Sequence, residues 1–93
     1  MAGLDDAART DFLAGHPAWE IDGEELRRQF VFADFAEAIA FVVHVAFAAE
    51  AANHHPDIDI RWNKVAIALT THEAGALTAQ DTELATAIEA AAG

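Results

Sequence analysis

Three histidines carry most of the chemistry available to this chain. His54 and His55 are adjacent and precede Pro56, and His72 follows at the end of an alternating apolar segment. Imidazole both gives and takes protons near neutral pH, so such a cluster suits acid–base work. Segments beside prolines lie at the surface, which argues against the pair as core filling. Glu50 lies one helical turn before His54, close enough to orient or charge it. His72 shares strand parity with Ala66, Ala68 and Thr70, whose small side chains leave room for a cavity over it. Asp81 has two explanations, because the third helical position of a capping box over Thr78-Ala79-Gln80-Asp81 accounts for it without any site. Trp62 falls on the buried parity of a strand, as a core residue first and a pocket wall second.

Three histidines beside an acid raise the question of zinc. The spacing fits neither H-E-x-x-H nor a zinc finger, and adjacent histidines rarely turn onto one ion, so no metal is expected. His72-Glu73 is only a fragment of such a motif. There is no cysteine, which removes disulfides, thiolate ligands and cysteine nucleophiles together. His16 precedes Pro17 beyond a short helix, where it caps carbonyls or faces water, and His44 falls on the polar strip of an apolar helix. Neither is expected to act.

The elements that position these residues follow from the pattern. Leu4–Ala14 reads as a short helix, Trp19–Asp22 as a strand, and Asp22-Gly23 as a turn into a second strand. There Leu26, Phe30 and Phe32 share one parity, and Arg28 intrudes on it, which places Arg28 near an edge or the sheet's rim. Asp34-Phe35-Ala36-Glu37 opens a second helix as a capping box. Phe35, Ile39, Val42, Ala46 and Ala49 form one apolar stripe, with Phe41, Val45, Ala48 and Ala52 beside it. Val43 and Phe47 extend this surface, so the helix is expected to be covered on more than one side, by the sheet and by a neighbouring subunit. Asn53-His54-His55-Pro56 ends the helix, since the residue before proline disfavours the helical region. Ile58, Ile60 and Trp62 alternate as a third strand, Asn63-Lys64 is a turn, and Val65, Ile67 and Leu69 form the large face of a fourth. A last helix after Thr78 has Leu84 and Ile88 inward. The order α-β-β-α-β-β-α predicts an α+β fold, a four-stranded antiparallel sheet with three helices on one face.

Composition bounds the rest. Ninety-three residues allow a single domain spanning 1–93. Of the 54% apolar residues, 24 are alanine and only 26 are larger, a modest core that self-association would help to stabilise. Sixteen acidic residues against five basic ones give a formal charge of −11, which repels phosphate backbones and anionic lipid, so no nucleic-acid or membrane partner is expected. Met1–Asp11 is acidic and lacks the apolar core of a signal. The longest apolar run, Ala38–Ala49, is twelve residues and carries His44, too short to span a bilayer. The cytoplasm is the expected location.

From Glu50 to Asp81 the chain resembles the pterin-4a-carbinolamine dehydratases. The family pattern is an acid, three residues, His-His-Pro, five residues, an aromatic, nine residues, a histidine and, about eight residues on, an aspartate. Glu50, His54-His55-Pro56, Trp62, His72 and Asp81 hold those places with every gap matched. Asn63-Lys64-Val65, Leu69-Thr70-Thr71-His72-Glu73 and Leu77-Thr78 also look like the family, and its element order matches the whole chain.

The resemblance implies dehydration of 4a-hydroxytetrahydrobiopterin, or a related pterin, to the quinonoid dihydropterin, in recycling the cofactor of aromatic amino acid hydroxylases. It implies proton donation to the departing hydroxyl by His54 and His72 and pterin holding mainly by His55. Pro56, Thr71 and Glu73 would line the pocket, Glu50 and Asp81 would support the histidines, and Trp62 belongs to the same motif. It implies no metal or organic cofactor, and a homodimer or homotetramer. Some relatives of this fold act instead as binding modules, as a transcriptional dimerisation cofactor or an assembly chaperone. The intact histidine set argues against a purely structural role.

Overall fold

The computed structural model describes residues 2–93. Its elements run α1 (Asp6–Gly15), β1 (Glu20–Asp22), β2 (Glu25–Val31), α2 (Phe35–Ala52), β3 (Asp57–Arg61), β4 (Lys64–Leu69) and α3 (Ala79–Ala91), the order the sequence predicts. Each helix begins where a short polar side chain accepts an orphan backbone N–H. Asp5 takes that of Ala8 at 2.8 Å, Asp34 that of Glu37 at 2.9 Å, and Thr78 that of Gln80 at 3.2 Å. β1 and β2 close over Gly23-Glu24, with Gly23 at φ 62°, a left-handed conformation that glycine enters without penalty.

The sheet has the order β1-β2-β4-β3, and every pairing is antiparallel. Leu26 stands opposite Leu69 and Phe30 opposite Val65, while Ile67 lies between Arg28 and Ile58. These residues share the face that the helices cover. Leu26, Phe30, Val65, Ile67 and Leu69 are all buried there, so trimming Ile67 to alanine costs about 2–5 kcal/mol. Phe12 of α1, Trp19, Phe30 and Phe41 of α2 continue the core as a chain of neighbouring rings.

Arg28 is not at an edge or rim. It occupies the middle of β2, an interior strand, on the helix-facing side. Its guanidinium lies over the Phe30 ring at 4.0 Å and pairs with Glu89 of α3, which also accepts from the Trp19 indole at 2.8 Å. A partner on the covering helix is what admits an arginine here. Parity alone does not reveal such a partner.

Trp62 is a second correction. Arg61 pairs with Lys64, so the β3–β4 turn is Trp62-Asn63, one residue earlier than expected. Trp62 adopts φ 53° and is 65% exposed, not in the core. The turn is fixed from the Asn63 side: its amide donates to the Phe32 carbonyl at 2.8 Å, and the Phe32 N–H donates back to the Asn63 carbonyl at 2.9 Å.

α2 buries Ala38, Phe41, Val45 and Ala49 and leaves Phe35, Val43 and Phe47 exposed. The helix has 18 residues and is apolar enough to cross a bilayer by length and composition, more than the twelve-residue run suggests. The buried stripe packs instead on the sheet and α3, as in the core helix of a globular domain. Glu24 ties the β1–β2 turn to α1 and to the segment before α3, holding Arg9 at 2.7 Å and the Leu77 N–H at 3.0 Å. Those two donors hold its carboxyl below the ordinary range, the Leu77 bond foremost.

Candidate active site

The end of α2 sets the direction in which the histidine pair leaves it. Asn53 is left-handed at φ 50°, ψ 43°, its N–H reaches the carbonyls of Ala49 and Glu50, and the His54 N–H closes on Ala49 at 3.1 Å. This is a Schellman-type stop, which asparagine tolerates better than most residues. The helix therefore ends at Ala52, before the restriction from Pro56 takes effect. It turns His54 inward, toward the start of α3.

There Nε2 of His54 meets Oδ1 of Asp81 at 2.5 Å. Asp81 is wholly buried, and its second oxygen accepts from the Thr71 hydroxyl at 2.8 Å and the Thr78 N–H at 2.9 Å. The capping box of α3 and the support of His54 are thus one carboxylate doing both. With donors filling Oδ2, Oδ1 is the acceptor for a His54 Nε2–H, which leaves Nδ1 as the nitrogen able to exchange a proton.

Glu50 does not bind His54. It stands 2.8 Å from Nε2 of His55, and both side chains are largely exposed. The one-turn spacing to His54 is overridden because Asn53 rotates the chain, bringing the next histidine over Glu50 and giving His54 to Asp81.

His72 is the first residue of a turn over 72–75, beyond the end of β4, so strand parity does not aim it. The turn is closed by the Thr71–Ala76 bridge and by the Gly75 N–H on the His72 carbonyl at 3.1 Å. Ala66 and Ala68 do not lie over it. They floor a larger cleft of about 620 Å³ on the open face of the sheet, walled by Glu20, Arg27, Asp57 and Asp59 and containing no histidine.

His54, His55, Thr71, His72 and Glu73 instead line one cavity of about 240 Å³. Asn53, Thr70 and Gln80 also line it. Thr70 is one of the small residues expected beside a cavity at His72, whereas Asn53 and Gln80 did not stand out as site residues in the sequence, although Gln80 lies inside the capping box and Asn53 immediately precedes the pair. Pro56 is not in the lining. Trp62 stands at the opposite end of the β3–β4 hairpin, roughly 16 Å along the strand at 3.3 Å per residue. A second cavity, also about 240 Å³ and walled by Ala48, Ala52, Leu84 and Ala87, shares His54 and Gln80 with the first. His16 stacks on Phe12 at 4.1 Å and points Nδ1 at the Phe12 carbonyl, 3.1 Å away, the first of the two roles the sequence allows it. His44 is exposed on α2. Among the described residues no three His, Asp or Glu side chains are grouped to hold a metal ion.

The site therefore combines an imidazole held by a buried carboxylate, an exposed imidazole on a turn, and a third paired at the surface. Such a set can move protons to and from a small ligand. Comparison with known proteins shows the family. The family model for pterin 4 alpha carbinolamine dehydratase matches residues 2–91. A protein of Chloroflexus aggregans named "Putative pterin-4-alpha-carbinolamine dehydratase" is 58% identical over 90 residues, covering 96% of each chain. One of the same name from Acidobacterium capsulatum is 51% identical over 90 residues, covering 97% of this chain and 98% of its own. The crystal structure of a transcriptional coactivator/pterin dehydratase from Brucella melitensis superposes with a TM-score of 0.93 at 31% identity, over 99% of this chain and 100% of that one. A pterin dehydratase-like protein identified as a RuBisCO assembly factor in the alpha-carboxysome superposes with a TM-score of 0.68 at 25% identity, over 81% and 87%. This chain belongs to the pterin-4a-carbinolamine dehydratase family.

Proposed function

We propose that this chain dehydrates a 4a-hydroxytetrahydropterin to the quinonoid dihydropterin. The observation that carries the reading is one cavity presenting two imidazoles of different character, His54 on buried Asp81 and His72 on an exposed turn. In the reaction the C4a–O bond breaks as the hydroxyl receives a proton and leaves as water. The N5 proton passes to water in the cavity, and the N5–H electron pair forms the C4a=N5 bond. Two proton transfers complete the balance, so general acid–base groups suffice without metal or organic cofactor.

His54 and His72 are assigned the proton donation to the departing hydroxyl, His54 from Nδ1 when the ring carries both protons, with its Nε2–H held on Asp81. His55, steadied by Glu50, mainly holds the pterin, with Glu73 beside it; Thr71 also lines the cavity, but its hydroxyl is engaged by Thr78 and Asp81. The 240 Å³ cavity suits a small heterocycle better than a nucleotide or a polymer. Generating the 4a-hydroxypterin in place and following dehydration above its spontaneous rate tests the reading. No acceleration by the folded protein would refute it.

The physiological setting we assign is recycling of the pterin cofactor of an aromatic amino acid hydroxylase in the cytoplasm, by a homodimer or homotetramer. The support for self-association is the apolar surface of α2, where Phe35, Val43 and Phe47 are about half exposed or more. That same surface, with the coactivator and assembly-factor names of the two structural relatives, supports a second reading as a binding module. Dehydration without effect on any partner separates the first reading from the second.

A further inference from the structure

We propose that Thr71 and Thr78 are positioning residues of the site, forming a one-way chain of hydroxyl protons that fixes the tautomer of His54. The proposal deepens the dehydratase reading and rests on it for its kinetic consequence alone.

The direction of the chain follows from counting protons. Thr78 Oγ1 accepts the Gln80 N–H at 3.2 Å, and its own single proton has Thr71 Oγ1 for a partner at 2.7 Å. Thr71 then has one proton to give, and Asp81 Oδ2 stands 2.8 Å away as a carboxylate oxygen that only accepts. If Thr71 donated to Thr78 instead, Asp81 would lose a donor and the Thr78 proton would have no acceptor. The Thr78 N–H adds a second donor to Oδ2 at 2.9 Å, and Oδ1 is left to receive His54 Nε2–H at 2.5 Å. Thr71, Thr78 and Asp81 are all at most 3% exposed, so water has little access to replace a missing member.

Thr71 also reaches the other catalytic imidazole through its backbone. Its N–H and carbonyl form the bridge with Ala76, and its carbonyl accepts the Ala74 N–H at 3.1 Å, closing the turn that begins at His72. One residue thus sets the orientation of His54 through its side chain and anchors the turn of His72 through its main chain. A helix cap alone would explain Thr78 but not the hydroxyl of Thr71.

The test is the ¹⁵N spectrum of the His54 ring at a pH where the ring is neutral, in the parent, Thr71→Val, Thr71→Ser and Thr78→Ala, beside kcat and KM for dehydration. The parent is expected in the Nε2–H form with an unprotonated Nδ1. Thr71→Val, which keeps the shape and removes the hydroxyl, should give a mixture of tautomers and lower kcat roughly 10-fold with KM within about twofold. Thr71→Ser should restore both, and Thr78→Ala should loosen the tautomer partially. A parent His54 in the Nδ1–H form overturns the proposal without recourse to any variant. So does a pure Nε2–H signal with parental kcat in Thr71→Val or, if that variant fails to fold, a pure Nε2–H signal in Thr78→Ala. A parent without dehydratase activity would defeat the functional reading, and the ring-nitrogen signals would still judge the proton chain.

Discussion

Nε2 of His54 stands 2.5 Å from Oδ1 of Asp81, although the two residues are 27 apart in the chain. The contact joins the corner after α2 to the first turn of α3. Asp81 therefore both caps α3 and holds His54, and on the proposed reading the structural and functional roles separate by substitution. Asp81→Ala leaves the Thr71 hydroxyl, the Thr78 N–H and His54 without their shared acceptor, which should cost about 3–5 kcal/mol in urea unfolding. Asp81→Asn keeps the shape but offers one accepting oxygen, so His54 is driven toward the opposite tautomer. Turnover should fall roughly 10–10²-fold with a smaller loss of stability. Equal stability loss in both, with parental turnover in Asp81→Asn, would reduce Asp81 to a helix cap.

The Glu50–His55 pair lies at the surface and is worth little as a salt bridge, about 0–1 kcal/mol. On the proposed reading its importance is in holding substrate. His55→Ala should raise KM severalfold with kcat within about threefold, and Glu50→Gln should do the same more weakly. Steady-state kinetics with the opposite split, a collapse of kcat at constant KM, would make His55 a proton carrier.

Glu24 gives the fold a defined acid sensitivity. Its carboxyl is held below the ordinary range by the Leu77 N–H and then by Arg9, so the folded state prefers it ionised. The stabilisation is fully present above the ordinary carboxylate pKa and is lost as pH falls through the lower folded value. The urea midpoint of Glu24→Gln should lie below that of the parent near pH 7, and the gap should close toward about pH 3. A gap that is constant with pH would show that the bond geometry, not the charge, matters.

The apolar surface of α2 predicts self-association. Phe47 is its most exposed large side chain at 71%, and Phe47→Glu places a charge there without touching the core. Sedimentation at micromolar concentration should show the parent well above 9.9 kDa and the variant shifted toward it. A parent that sediments at 9.9 kDa would remove the oligomer from the account.

Much of this molecule was legible from periodicity. The large face Val65, Ile67, Leu69 and the inward Leu84 and Ile88 are local repeats, and all are buried as expected. The element order followed from the same patterns. What escaped were facts set by residues distant in sequence. Arg28 reads as an intrusion until Glu89, 61 residues later, comes to lie above it. Glu50 reads as the partner of His54 until the left-handed Asn53 exchanges the two histidines. Trp62 fits the parity of β3 but falls in the turn, because Asn63 is anchored to Phe32 across the hairpin end. The three histidines were evident from residue type, whereas Thr78 and Gln80 resembled ordinary capping residues, and only the folded chain brings Gln80 to the cavity and Thr78 against Thr71 and Asp81.

The most direct measurement is dehydration of separated 4a-hydroxy stereoisomers by the parent, His54→Ala and His72→Ala, in chelator-treated buffer with the spontaneous rate subtracted. The parent should accelerate both isomers without added metal. Each variant should lose roughly 10²–10⁴-fold in kcat on at least one isomer while KM changes little, as expected when a proton donor acts mainly in the transition state. If His54 and His72 serve opposite faces of the pterin, each variant will spare one isomer. Parental rates in both variants on both isomers would contradict the account and leave the cavity as a binding site without acid–base chemistry.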